Sequence, residues 1–150
     1  RPDDTGMEYI NPRPGSVILP ALAISAKTSS ASDLSTTHIQ ILFPDPWPKT
    51  KHKARRLIQP TFIEHLNCIL AKNGTITVGT DHPVLKSWVL EQFQSNQGLE
   101  WLANDAKDWR IRPLDCFSTK YEKKAYKENR VPSWFIYKKT FFSNFDQIMI

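Results

Sequence analysis

Between positions 43 and 56 the chain gathers the residue types best suited to act on a charged substrate. Phe43-Pro44-Asp45-Pro46-Trp47-Pro48 sets a proline at every second position. Each ring fixes its own φ and bars the residue before it from the helical region. Phe43, Asp45 and Trp47 are therefore expected to be extended, and the segment reads as a stiff, polyproline-like rod. A carboxylate carried on such a rod is oriented before any ligand arrives. Immediately downstream, Lys49, Lys51, Lys53, Arg55 and Arg56 place five cations within eight positions, with no acid among them.

Two kinds of chemistry suit this pattern. A fixed carboxylate beside a nucleobase can accept hydrogen bonds from its N–H edge and steady positive charge developing on the ring, while Trp47 can stack on a base. The alternative is a structural turn, with Trp47 packed in the core and Asp45 capping the helix that follows. The charge balance bears on the partner. Lys plus Arg number 20 against 15 Asp plus Glu, a net of +5. Removing the five clustered cations leaves a neutral remainder, so the excess charge is one local patch. A local patch points to a polyanion, although a solvated helix face is the other account of it.

The elements around this segment must hold it in place. His38 to Phe43 reads as a strand of mostly apolar residues covered on both faces, as in a parallel sheet. Asp45 then lies at a carboxyl end of the sheet, where open α/β folds bind ligands. A helix follows, with Phe62, Ile63, Leu66, Ile69 and Leu70 at helical spacing, Pro60 in its first turn, and Asn73-Gly74 as a left-handed stop. Thr75 to Thr80 is a second strand. Asp81 is placed to cap the next helix, whose buried stripe is Val84, Leu85, Trp88, Val89 and Phe93, with Gly98 ending it. Leu99 to Ala103 and Ser133 to Tyr137 are expected to pair as a final antiparallel ribbon. Upstream, Arg1 to Pro14 reads as a loose arm, Ser16 to Ala26 as an apolar stretch of undetermined type, and Lys27 to Thr37 as a Ser/Thr surface loop. The order strand, helix, strand, helix and two more strands predicts an α/β fold.

Length and composition set the bounds. With 150 residues, 40% hydrophobic and 23% charged, the chain suffices for one domain. No apolar run reaches the ~20 residues of a transmembrane helix, and no signal-peptide pattern opens the chain. Cys68 and Cys116 sit in no metal-ligand spacing, and His38, His52, His65 and His82 form no ligand pair at i, i+3 or i, i+4, so no metal site is expected. These features suggest a reduced, intracellular, soluble protein, cytoplasmic or organellar. Self-association stays open. Trp88, Trp101 and Trp134 fit core positions. The cluster Lys120, Lys123, Lys124, Lys127 and Arg130 is diluted by acids and reads mostly as a solvated face.

Phe43-Pro44-Asp45-Pro46-Trp47-Pro48-Lys49, followed by His52 and Arg55-Arg56-Leu57, resembles the signature of single-chain, bacterial-type tRNA (guanine-N7-)-methyltransferases. The resemblance continues at Thr80-Asp81, Arg112-Pro113 and Thr119-Lys120-Tyr121-Glu122, covering roughly Ile39 to Tyr137. It implies a class I, Rossmann-like methyltransferase that uses S-adenosylmethionine to modify a guanosine in the tRNA variable loop. By the same resemblance, Asp45 is the catalytic carboxylate and lies close to the cofactor. Lys49, Asp81, Thr119, Lys120, Tyr121 and Glu122 would contact the substrate, and Lys51, His52, Lys53, Arg55 and Arg56 would lie along the tRNA. N7 already carries a lone pair, so methylation there needs no deprotonation, and a nearby carboxylate would stabilise the charge that moves onto the purine.

The sequence departs from the family in one large respect. Its glycines, Gly6, Gly15, Gly74, Gly79 and Gly98, include no close pair able to form the glycine-rich cofactor turn. The expectation is therefore the C-terminal half of a class I sheet. Residues 1–37 would be a divergent or truncated segment, 38–140 the catalytic and tRNA-facing part, and 141–150 an apolar tail. A catalytically incomplete RNA-binding remnant, or an accessory chain completed by a partner, stands as the alternative.

Overall fold

Ile39, Gln40, Ile41 and Leu42 are all buried, which is why this run has no amphipathic alternation. In the computed structural model, which describes residues 16–18, 24–30 and 33–140 with side chains from Thr36 onward, they end a central strand. The six strands are β1 (Ser16–Ile18), β2 (Ile24–Ser30), β3 (Asp33–Leu42), β4 (Leu70–Thr80), β5 (Leu99–Trp101) and β6 (Ser133–Lys139). They form a single sheet in the order β1-β2-β3-β4-β6-β5. β3 and β4 are parallel, with Ile39 opposite Ile76 and Ile41 opposite Val78. The neighbouring pairs are antiparallel, including β5 with β6, the ribbon expected from the sequence. Helix α1 (Pro60–Ile69) makes the crossover between the parallel strands, and α2 (Pro83–Gln94) leads from β4 towards β5. Two short helices, α3 (Lys107–Arg110) and α4 (Lys120–Lys127), lie between β5 and β6.

The two-residue period of the strands divides the core. On one face, Ile39, Ile41, Ile76, Val78, Phe135 and Tyr137 pack against Ile63 and Leu66 of α1 and Leu85, Val89 and Phe93 of α2. Phe93 stacks on Tyr137 with centroids 4.1 Å apart. On the other face a smaller cluster joins Leu42, Cys116 and Trp134, with Phe43 against it. This second face is more polar: the Gln40 amide donates to the Asp115 carbonyl at 2.9 Å, and the His38 ring is 2.9 Å from the Asp115 carboxylate. These contacts tie the 111–118 segment down beside the sheet. The result is the α/β sheet with a terminal antiparallel ribbon that the pattern predicted.

Several expectations fail locally. The described residues of the Ser/Thr-rich stretch are strand, in β2 and β3, because β-branched threonine suits a pleated surface once a neighbouring strand offers pairing. Helix α1 ends at Ile69, and Asn73-Gly74 lies inside β4. The left-handed Asn73 (φ 62°) sits where the β3–β4 register slips, so it makes a bulge and stops no helix. Ile69 is 51% exposed and Val84 is also exposed, leaving both helical stripes narrower than read. Trp134 is buried as expected, whereas Trp101 is exposed. Asp81 does not cap α2: the His82 Nδ1 accepts from Val84 N–H at 3.2 Å. Neither cysteine is disulfide-bonded. Among the described residues no helix is long and apolar enough to cross a membrane, and no group of three His, Cys, Asp or Glu could hold a metal ion. The arm at 1–14 and the tail at 141–150 lie outside the described residues.

Candidate active site

The proline-braced segment leaves the sheet where the parallel pair ends. Phe43 N–H donates to the Gly79 carbonyl at 2.7 Å, so the first residue of the segment is still fastened to β4. There the chain turns sharply, with Phe43 at φ 52°. The turn aims the Phe43 ring edge-on at Trp134 (5.7 Å) and stacks it on Tyr121 (6.4 Å). Gly79 makes this possible: a Cβ there would stand 2.7 Å from the Trp134 ring. Pro44 is buried and Asp45 is exposed, which leaves its carboxylate in solvent beyond the carboxyl ends of β3 and β4. Trp47 has φ 40°, so the segment is kinked at both ends and is not the uniform rod the prolines suggested. Proline bars its predecessor from the right-handed helical region, and tertiary contacts have selected the left-handed one at these two sites.

Trp47 explains the second kink. Its ring meets His52 edge-on at 5.7 Å, with the Arg55 guanidinium 5.0 Å from its centroid. Its carbonyl accepts from Arg56 Nε at 3.1 Å. Arg56 in turn lies over Trp88 of α2 at 4.7 Å, and the Trp88 indole donates to the Ile58 carbonyl at 2.7 Å. Arg56 is thus only 6% exposed and acts as a brace between the segment and α2. That corrects its expected place along an RNA backbone. An open groove of about 400 Å³, lined by Pro48, Arg56, Trp88 and Glu91 among others, runs beside this brace. Lys49, Lys51, Lys53 and Arg55 are all exposed, on or next to the 3-10 helix Thr50–Arg55. Asp45 does not cap that helix, whose N-cap is Lys49.

Helix α4 brings the remaining motifs to the same end of the sheet. Thr119 caps it, its hydroxyl accepting from Glu122 N–H at 3.1 Å. Glu122 is buried and pairs with Arg112 at 3.3 Å, while Arg112 donates to the Cys116 carbonyl at 2.7 Å. The other Glu122 oxygen, Oε2, is buried with no hydrogen-bond partner among the described residues. Lys120 lies 5.9 Å from the Tyr121 centroid. At the far end of α4, Arg130 reaches Asp81, Nε to Oδ2, at 2.7 Å. Burial lowers the pKa of nearby Lys86 from the ordinary lysine value, and the Asp81 charge opposes that shift.

Phe43, two residues before Asp45, meets Tyr121 at the start of α4, and Asp81 is tied to the turn after α4 through Arg130. Thr119 is engaged as the cap of α4, and Glu122 faces inward against Arg112. Arg130, read from sequence as part of a solvated face, is an internal partner of the site. Its signal was Asn129 just past a helix end, a left-handed stop that turns the chain back (φ 58°). Chemically, the ensemble offers an exposed carboxylate on a fixed turn, a second carboxylate held by one oxygen, an aromatic pair and a basic rim.

Comparison with known proteins gives the chain's family. A family model described as "Putative methyltransferase" matches residues 22–133. The chain is 34% identical over 139 residues to a tRNA (guanine-N(7)-)-methyltransferase of Rhodospirillum rubrum, covering 91% of this chain and 51% of that protein. It is 39% identical over 99 residues to the enzyme of that name from Ruegeria pomeroyi (66% and 41%), and 33% over 108 residues to that of Rhizobium etli (71% and 46%). The chain spans about half the length of the curated relatives it matches. The family match runs from β2 through the proline-braced segment, α4 and the start of β6, the same elements that build the site. On that ground the chain belongs to this methyltransferase family, alongside the tRNA (guanine-N(7)-)-methyltransferases of these bacteria.

Proposed function

We propose that the chain is the catalytic and tRNA-facing part, residues 38–140, of an enzyme that transfers a methyl group from S-adenosylmethionine to N7 of a guanosine in the tRNA variable loop. The observation that carries this reading is Asp45, an exposed carboxylate on a turn fastened to the carboxyl ends of two parallel strands. Its task would be to sit beside the purine and offset the positive charge that arrives with the methyl group. Asp81 would accept from the base or ribose, Tyr121 would border the base, and Lys49 would meet the adjoining phosphate. Lys51, His52, Lys53 and Arg55 would follow the RNA backbone. Residues 1–37 and 141–150 would be a divergent segment and a tail. An intracellular compartment holding tRNA is the implied location.

Membership of the family implies S-adenosylmethionine as the methyl donor. The described residues do not fit the whole of that molecule. Gly74 and Gly79 lie within β4 and Gly98 precedes β5, so no described strand runs into a glycine-rich turn. This observation favours a second reading, in which the chain binds tRNA but depends on other residues or another chain for the cofactor.

Transfer of labelled methyl from S-adenosylmethionine to an unmodified tRNA transcript decides between them. Asp45→Ala is expected to lower transfer by about 100-fold or more while tRNA affinity changes by no more than about threefold. Salt-sensitive tRNA binding without transfer by the unaltered chain would establish the second reading.

A further inference from the structure

The chain leaves α4 through a tight turn. Glu128 N–H bonds to the Lys124 and Ala125 carbonyls, Asn129 is left-handed, and Arg130 N–H returns to the Ala125 carbonyl at 2.8 Å. This turn delivers two contacts to the start of α2. The Arg130 guanidinium takes Asp81 Oδ2, and the Val131 carbonyl accepts from Lys86 Nζ at 2.7 Å. A second arm of the guanidinium holds Glu128, so Arg130 is gripped from both sides.

The Asp81–Arg130 pair does little for the fold. Its side chains are 20% and 40% exposed, and a pair so open to water adds little to stability. Helix α2 does not need Asp81, since His82 caps it. What the pair does fix is direction. A carboxylate turns easily about its last torsion, and Lys86 is a competing cation nearby. With Oδ2 held by a charge-assisted bond, Oδ1 is left as an oriented acceptor at the carboxyl end of β4.

We propose that Arg130 is a positioning residue, which holds Asp81 by one oxygen so that the other receives a hydrogen bond from the substrate nucleoside. The inference rests on the methyltransferase reading above. The test is a double-mutant cycle in the full chain: Asp81→Asn, Arg130→Leu, both together, and Arg130→Lys. Methyl transfer to an unmodified tRNA transcript gives kcat and KM, and thermal melting is followed alongside. Arg130→Leu is expected to lower kcat/KM by about 10- to 100-fold while Tm moves by no more than about 2 °C. The double variant should be no worse than Asp81→Asn, and Arg130→Lys should recover part of the loss. Unchanged transfer in Arg130→Leu, or losses that multiply in the double variant, would overturn the inference. An Asp45→Ala control separates the failures. Transfer that needs Asp45 but ignores Arg130 removes this inference alone. Transfer that is absent from the unaltered chain, or indifferent to Asp45, removes the underlying reading and this inference with it.

Discussion

Arg55 and Arg56 are adjacent in sequence and opposite in role. The Arg55 side chain is exposed over Trp47, where it can meet a phosphate. Arg56 is buried between the Trp47 carbonyl and the Trp88 ring. A hydrogen bond from a charged donor contributes ~1.5–3 kcal/mol, and the cation–π contact adds ~0.5–1. Arg56→Ala should therefore destabilise the fold by about 2 kcal/mol in urea unfolding. Arg55→Ala should leave stability alone and reduce the salt slope of tRNA binding by about 0.7 to 0.9. Equal effects on stability from the two variants would remove the brace. The sequence reading treated both as surface cations, because a charge run carries no mark of which member turns inward.

At the level of elements, Gly79 and α4 set the geometry of the site. Gly79 lies between Leu42 and Trp134 in the sheet and anchors Phe43 through its carbonyl. Gly79→Ala must displace the Trp134 ring, at a cost of ~1–3 kcal/mol. Because that ring supports Phe43, methyl transfer should fall further than stability alone explains, which activity assays at a fully folded temperature would show. Loss of stability with normal transfer would mean the ring is filler. Helix α4 works differently, as a clamp whose start meets Phe43 and Arg112 and whose end meets Asp81 and Lys86.

In the molecule as a whole, the helix-covered face carries the larger core, and the candidate site lies at the carboxyl ends of the parallel strands. Tyr137 shows the cost on the first face. Its hydroxyl is buried with no hydrogen-bond partner among the described residues, and burial raises its pKa well above the usual phenol value. A raised folded pKa leaves stability unaffected below the ordinary value of about 10, and lowers it as pH rises beyond that point. Tyr137→Phe should thus be neutral or stabilising by up to ~1 kcal/mol at pH 7 and should flatten the alkaline decline. A clear loss of stability at pH 7 would show that the hydroxyl has a partner after all.

Periodicity and local stereochemistry were legible without coordinates. They placed β3, α1, β4, α2 and the β5–β6 ribbon, because apolar spacing of two or of about 3.6 follows from how side chains leave a strand or helix. The proline-braced segment placed Asp45 at the carboxyl end of a strand for the same local reason. Tertiary structure decided what local rules leave degenerate. It chose the left-handed option at Phe43 and Trp47, where ring contacts with distant or neighbouring side chains outweighed the extended preference. It gave the cap of α2 to His82 and released Asp81 to Arg130, two residues 49 positions apart. It made strand of the Ser/Thr stretch by supplying a partner, and it drew Arg56 out of the basic patch. Each of these outcomes depends on a contact between distant residues, and such contacts leave no spacing to read in the chain.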